Sequence, residues 1–569
     1  MNKYNDMITQ FTKLTFYSFK RLFVVVLLIF TSSCELDEDV YSFRDSESVF
    51  ASGGSTDALL GSLTTAGYTN YWYYQSVFPA TTAHHSLFYT RRNNYSLNKM
   101  TITPSESRVQ NAWREMYTGI ATANIIISTT PENPETENEK NARGLALFTR
   151  AGHYFMLARL WGGVPLVLNP EDKNMPRSTR DETFEQIVED LEFAFDYLAP
   201  LQNSPTKPKK MAAAAYLAAV YHHWASLTND ISRWEKARDW AKIVIDAEGS
   251  GEGYRLLDDF AHLWDLNHEF SDESIMEIGF TRAAGGASFP IWWSIFGDGQ
   301  AAKSQNGGTI INYHLADSLM SIYNGEIDYR MKTQTSINQI YYWPMIGGDN
   351  TAAKMSYPLN KADLRQAKLD NPLGLPDASK YTGNTHILVT KYRDPAPLGN
   401  NGHENNAILM RYSEVLLIAA EAECELNGGP NTIAIDYLNR VLTRARKNES
   451  FTEPANVSLG SFNGLLDFRA RLLMERANEF IGEHHAWMDE RRFGIEHFRN
   501  RVEWHNTQFQ RESLSSWTSG SSGNFGRRIR NQEFPTDDSF LTKNLLWPIP
   551  ENEINNNTSL TFSDQNPEY

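Results

Sequence analysis

Three clusters of aromatic residues stand out as groups able to recognise a ligand: Tyr71-Trp72-Tyr73-Tyr74, Trp292-Trp293 and Tyr341-Tyr342-Trp343. A flat ring packs against the C–H face of a sugar, while planar polar groups beside it bind hydroxyls. Arg91, Arg92, Asn93 and Asn94 lie close in sequence to the first cluster. The candidate contacts are therefore Trp72, Tyr73, Tyr74, Arg91, Asn93, Trp292, Trp293, Tyr342 and Trp343. Adjacent rings also alternate between core and surface, so only some of these are expected to meet a ligand.

Catalytic patterns are missing. The sequence has no Walker loop, no G-x-S-x-G elbow and no H-E-x-x-H helix. Gly297-Asp298-Gly299 lacks the third glycine of a dinucleotide fingerprint. Histidine pairs occur at His84-His85, His222-His223 and His484-His485. Neighbours on a helix point about 100° apart, so one pair rarely chelates a metal, and all three are read as surface or capping residues. No cofactor or metal is expected. A two-carboxylate glycosidase site would draw its acids from distant segments; nothing in the sequence favours one.

Charge excludes another class. The chain carries a net charge of −16. Lys3, Lys13, Lys20 and Arg21 against Asp6 give the first 33 residues +3, which leaves −19 for the rest. Such a surface repels phosphates, and no basic stripe overrides it, so nucleic acid is not an expected partner.

The N-terminus reads as an export signal. Lys20 and Arg21 precede the apolar run Leu22 to Phe30. As a helix that run rises about 14 Å, too short for a bilayer core of about 30 Å, but right for a signal peptide. Thr31-Ser32-Ser33 and then Cys34 resemble a lipoprotein cleavage site, although Thr31 replaces the common leucine. Residues 1–33 are thus expected to be removed and Cys34 acylated. The other cysteine is Cys424. With Cys34 lipidated no intrachain disulfide forms, and Cys424 is expected to be a small core residue. The acidic run Glu35-Leu36-Asp37-Glu38-Asp39 suits a solvated tether.

The elements that must position any site are mostly helical. Trp113, Met116, Ile120, Ala123 and Ile127 recur at three- and four-residue steps, as do Leu147, Ala151, Tyr154, Phe155 and Ala158. Thr179-Arg180-Asp181-Glu182 is a capping box, and it precedes a stripe from Phe184 to Leu198 that Pro200 closes. Residues 211–247 and 411–446 each read as a helix pair, with small alanines where helices cross, in the manner of tetratricopeptide hairpins. Residues 251–405 and 501–545 are rich in turn formers and carry little helical period. Long irregular stretches of this kind are commonly functional. At 569 residues the chain exceeds the roughly 250–300 at which single cores stop growing; residues 34–569 are read as one composite domain. Its scaffold covers about 45–250 and 406–500, and the two irregular stretches are insertions on it.

Several stretches together resemble the SusD/RagB family. They are Trp113-Arg114-Glu115-Met116-Tyr117 with Ala123-Asn124; Thr149-Arg150-Ala151 with Leu160-Trp161-Gly162-Gly163-Val164-Pro165; the Asp190-Leu191 helix ending at Leu198-Ala199-Pro200; Met410-Arg411-Tyr412 through Ala422; Glu475-Arg476 with Glu479-Phe480, Glu483, Trp487, Asp489 and Arg491-Arg492; and Pro548-Ile549-Pro550-Glu551 with the terminal Gln565-Asn566-Pro567-Glu568-Tyr569. Their order matches the family from near residue 35 to the last residue. His484 and Ala486 depart from it, where members commonly carry Gly and Arg. Arg150, Arg411, Glu475 and Arg476 fall inside apolar helices, so they need charged or carbonyl partners and are read as fold residues.

The resemblance implies a mainly α fold: tetratricopeptide-like hairpins forming a curved scaffold with long irregular, aromatic-rich insertions. It further implies a lipid-anchored outer-membrane protein facing the cell exterior. Such a protein captures oligosaccharides or polysaccharide fragments without cleaving them and delivers them to a SusC-like TonB-dependent transporter. A surface glycoside hydrolase and a protein-binding scaffold or adhesin are the alternatives.

Overall fold

The structure is a computed structural model. It describes residues 60–63, 96, 100–280, 328–330, 391, 405–483, 485–504, 506–507 and 533–569, with the backbone alone of Met331, His505, residues 508–510 and five short strands between residues 88 and 389.

The expected helices form. Helix α1 (Ser107–Thr129) buries Val109, Ala112, Trp113, Met116, Ile120, Ala123 and Ile126 along one face. Helix α2 (Glu137–Trp161) opens on a capping box, with the Thr136 side chain accepting from the Glu139 N–H, and ends at Gly162. Helix α3 (Arg180–Tyr197) starts at the capping box read from the sequence, Thr179 with Glu182. Close behind that start, a Cβ on Gly163 would lie 2.1 Å from the Ser178 carbonyl oxygen, so only glycine lets the two segments pass.

Helices α4 (Lys210–Thr228) and α5 (Ile231–Asp246) make the first hairpin read from alanine spacing. Asn229 closes α4 in the left-handed conformation, and the Asp230 side chain caps α5 by accepting from the Ser232 N–H. Ala212 to Ala215, Ala218 and Ala225 are fully buried in α4, where small side chains bring neighbouring helices close. The second hairpin is α6 (Tyr412–Asn427) with α7 (Thr432–Ala445), joined through Gly428 at φ 67°. Consecutive helices pack from α1 to α5, and α5 packs on α6, so the hairpins adjoin although residues 247–411 intervene. Cys424 is buried in α6 as expected. Helix α8 (Leu465–Glu479) packs on α6, followed by α9 (His485–Arg491), α10 (Ile495–Gln510), α11 (Asp538–Lys543) and α12 (Glu551–Asn556). Phe498 and Val502 of α10 share a core with Met100, Phe534 and Leu541.

Strands also occur, which the sequence reading did not anticipate in the stretch 251–405. In chain order they are β1 (Phe88–Thr90), β2 (Ser274–Ile278), β3 (Tyr313–Leu315), β4 (Ile337–Tyr342), β5 (Ala353–Met355), β6 (His386–Val389) and β7 (Ala407–Arg411). At three to six residues each is too short to leave a clear alternating pattern. β1 pairs with β3, β4 lies between β5 and β6, and β2 pairs with β7, all antiparallel. The β2–β7 ladder matters most, because β7 runs directly into α6 and so joins the intervening stretch to the helical stack. Among the described residues, no helix is long and apolar enough to cross a membrane.

Candidate ligand-binding site and its supporting frame

Of the ring and polar residues proposed to meet a ligand, Trp72, Tyr73, Tyr74, Arg91, Asn93, Trp292, Trp293 and Trp343 lie outside the described residues, as does the acylation candidate Cys34. Tyr342 is described in its backbone alone, as the last residue of β4, in register with Ala353 of β5. The structure does describe the frame that holds the stretch between the two hairpins, and that frame is built from buried charge.

Arg411 stands where β7 meets α6, almost wholly buried. It donates from Nε to Glu483 at 2.8 Å, from Nη1 to Glu273 at 3.0 Å and Glu479 at 2.6 Å, and from Nη2 to the Glu479 carbonyl at 2.7 Å. Arg330 donates to Glu475 at 2.5 Å and Glu479 at 2.9 Å, and pairs with Asp328 at 3.0 Å. Arg444 pairs with Glu273 at 2.5 Å and with Glu479. Lys391 donates to Glu483 at 2.5 Å and to the Glu479 carbonyl at 2.7 Å. Burial alone would raise the Glu479 carboxyl, but Arg444, Arg411 and Arg330 overcome it and hold the group far below the usual carboxylate range. Burial pushes Lys391 down to about 8 despite Glu483.

This arrangement fastens one region to another. Glu273, Asp328, Arg330 and Lys391 come from the stretch between the hairpins, whereas Glu475, Glu479 and Glu483 belong to α8 and the turn after it. Buried charges of both signs, each hydrogen-bonded to the other, fix how the irregular stretch leaves and rejoins the scaffold. The carboxylates here accept hydrogen bonds from guanidinium or ammonium groups and so are committed to the frame.

A second network joins α4, α6, α8 and the segment after it. Arg492 grips Glu421 with both Nη atoms, at 2.6 and 2.8 Å, and donates to Asp489 at 3.0 Å. Arg476 donates to Asp489 at 2.8 Å, and His222 Nε2 lies 2.9 Å from Glu421. This corrects the reading of the histidine pairs as surface or capping residues. His222 and His223 are both buried in α4, and His485 is buried at the start of α9. The alanine-rich α4 is covered nearly all round, so even its polar residues face neighbours, and His222 fills its place by binding an acid of α6. Burial pushes the His222 imidazole down to about 4, against the pull of Glu421. His84, His85 and His484 lie outside the described residues.

The residues flagged as needing partners have them. Arg150 holds Asp190 through two bonds of 2.7 Å and also reaches Asn124 at 3.0 Å and the Leu168 carbonyl at 2.9 Å. The terminal run pins itself to the first helices: Asn566 Nδ2 donates to the Trp161 carbonyl at 3.0 Å and the Trp547 carbonyl at 2.7 Å, and Arg177 donates to Asn566 Oδ1 at 2.6 Å. Arg177, Glu273, Arg330 and Lys391 were not singled out from the sequence. Each sits in an irregular segment where no periodicity marks a buried position. Arg444 had a signal, since it falls within the amphipathic α7. Among the described residues, no group of three or more His, Cys, Asp or Glu is arranged to hold a metal ion.

Comparison with known proteins fits this frame. Residues 273–569 match the profile of the SusD family. The chain belongs to the SusD family. Residues 36–222 match a second profile, described as "Starch-binding associating with outer membrane". SusD-like protein P2 of Formosa agariphila is 28% identical over 494 residues, spanning 84% of this SusD-family chain and 91% of that protein. SusD-like protein P25 of the same organism is 26% identical over 430 residues, or 71% and 74% of the two chains. A SusD homologue from Bacteroides thetaiotaomicron superposes with a TM-score of 0.69 at 22% identity, covering 91% of this chain and 97% of that one. A structure solved with xylogluco-oligosaccharide gives 0.65 at 17% identity, covering 89% and 98%. A laminarin-binding SusD-like protein gives 0.62 at 18% identity, covering 93% and 100%. At such identities the superpositions establish the fold.

Proposed function

We propose that this SusD-family protein captures oligosaccharides or polysaccharide fragments at the outer membrane, leaves them intact, and delivers them to a SusC-like TonB-dependent transporter. The observation that carries the reading is family membership over residues 273–569. It is supported by neighbours of the same fold that bind laminarin or were solved with xylogluco-oligosaccharide. The description of the profile matched by residues 36–222 supports the outer-membrane placement. Cys34, following the apolar run Leu22 to Phe30, is the proposed acylation site and would hold the protein at the surface.

In this reading the rings of Trp72, Trp292, Trp293 and Trp343 stack on sugar faces, with Tyr73, Tyr74, Tyr342, Arg91 and Asn93 beside them. The ion network around Arg411 serves binding indirectly, by fixing the stretch that bears Trp292, Trp293, Tyr342 and Trp343 at Glu273 and Lys391.

A panel of glycans offered to the purified protein, scored for both retention and product formation, tests the proposal. Retention without new reducing ends is the expected result, and release of shorter sugars would overturn it. Substitution of each tryptophan by alanine should weaken the retained glycan by about 1 kcal/mol or more at one position at least. Unchanged affinity in all four variants would remove these residues from the site. Loss of radiolabelled fatty acid on Cys34→Ala tests the anchor separately.

A further inference from the structure

Between the two hairpins lies a small cavity that the ligand-binding proposal does not use. Its volume is about 40 Å³, and its wall includes Arg159 of α2, His223 of α4, Glu414 of α6, Arg476 of α8 and Asp489 of α9. That is room for about three water-sized occupants. Two side chains on the wall have a donor to offer it. Arg476 is nine-tenths buried, yet its Nη1 has no hydrogen-bond partner. The His223 ring, equally buried, meets Phe155 and Phe184 and makes no hydrogen bond with a described residue.

The acids on the wall both have cationic neighbours. Asp489 accepts from both Arg476 and Arg492. Glu414 stands 3.6 Å from Arg476 and 3.4 Å from His485. Burial also pushes the Glu414 carboxyl up, more than Arg476 and Arg159 pull it down. An unpaired guanidinium N–H in such surroundings is costly unless an acceptor fills the space.

We propose that this cavity is a binding site for one small inorganic anion of halide size, held by Nη1 of Arg476 and the ring N–H of His223. The anion completes the hydrogen bonding of α4 and α8 at one point and ties the first hairpin to the segments packed behind the second. The residues named for it, Arg476 and His223, are not among those proposed to meet a glycan.

Crystals of the full chain soaked in sodium bromide, measured at the bromine absorption edge, test the site directly. The expected result is an anomalous peak about 3–3.5 Å from Arg476 Nη1. In solution, the melting temperature should rise saturably with sodium chloride and not with sodium gluconate at equal ionic strength. His223→Phe keeps an aromatic ring between Phe155 and Phe184 while removing the donor. It should fold, by circular dichroism, and raise the half-saturating chloride concentration about tenfold or more. A water in the cavity with bromide confined to the surface, equal melting in the two salts, or unchanged half-saturation in His223→Phe would each overturn the proposal.

Discussion

Arg411 shows how much a single residue holds in this protein. Glu273, Glu479 and Glu483 all accept from its guanidinium, and none of the three has appreciable contact with water. Arg411→Met removes the countercharge but leaves the carboxylates buried. Breaking one side of such a network costs about 3–5 kcal/mol, so denaturant unfolding should show a loss of that order, or no folded protein at all. A loss below about 1 kcal/mol would mean that Arg444 and Lys391 suffice. His222 answers to pH instead. Its ordinary value is 6.5 and burial places it at about 4 in the folded protein, beside Glu421, Arg492 and Arg476. Between those values the unfolded chain holds the proton and the folded one does not, so stability rises with pH. The contribution is whole above pH 6.5 and drains away as pH falls toward 4. His222→Gln cannot titrate there, and its stability measured from pH 7 to pH 4 should fall less steeply than that of the parent. The need for partners at Arg150, Arg411, Glu475 and Arg476 was legible, because a charge inside an apolar helix must be met. The identity of those partners was not, since Glu273, Arg330 and Lys391 are distant in sequence and sit in segments without a period.

Elements owe their limits to local rules that the sequence displays, and their neighbours to packing that it does not. The capping box at Thr179 and Glu182 opens α3 where the four residues predicted. Thr136 and Glu139 open α2 by the same device. The alanine spacing of α4 and α6 foretold the hairpins, but not that α5 would lie on α6 across residues 247–411. The short strands went unread because pairing between distant segments, not local pattern, creates them. Two substitutions separate these levels. Asn431 caps α7 by accepting from the Ala434 N–H at 2.8 Å, and Asn431→Ala should cost about 1 kcal/mol. Gly163→Ala would set its methyl against the Ser178 carbonyl with backbone on both sides, and no flexible side chain is there to yield. Overpacking of this kind costs about 1–3 kcal/mol. The larger loss in melting temperature should therefore fall on the glycine, and a reversed order would mean that residues 162–164 and 178–180 can separate at little cost.

Residues far apart in sequence close upon one another through the terminal run, and this bears on how the described frame unfolds. Trp161 donates from its indole to the Pro548 carbonyl at 2.7 Å, and Trp113 donates to Glu553 at 3.2 Å. Arg177 reaches Asn566 and the Asp564 carbonyl, while Gln565 exchanges two bonds with Ile549. The Asn566 side chain is the hub, because one amide satisfies the carbonyls of Trp161 and Trp547 and accepts from Arg177. Asn566→Ala would strand the Trp547 carbonyl and take one of two donors from the Trp161 carbonyl, which Arg177 still reaches at 3.1 Å. Each unmet group costs about 1–3 kcal/mol, so the loss should exceed that of any single exposed hydrogen bond. The decisive measurement is where the loss is felt. If the C-terminal segment and α1–α2 form one cooperative unit, amide exchange should quicken together in residues 107–161 and 547–566 of the variant, with thermal unfolding remaining a single transition. Faster exchange confined to 547–566, with α1 and α2 as protected as before, would show instead that the first helices stand without the tail.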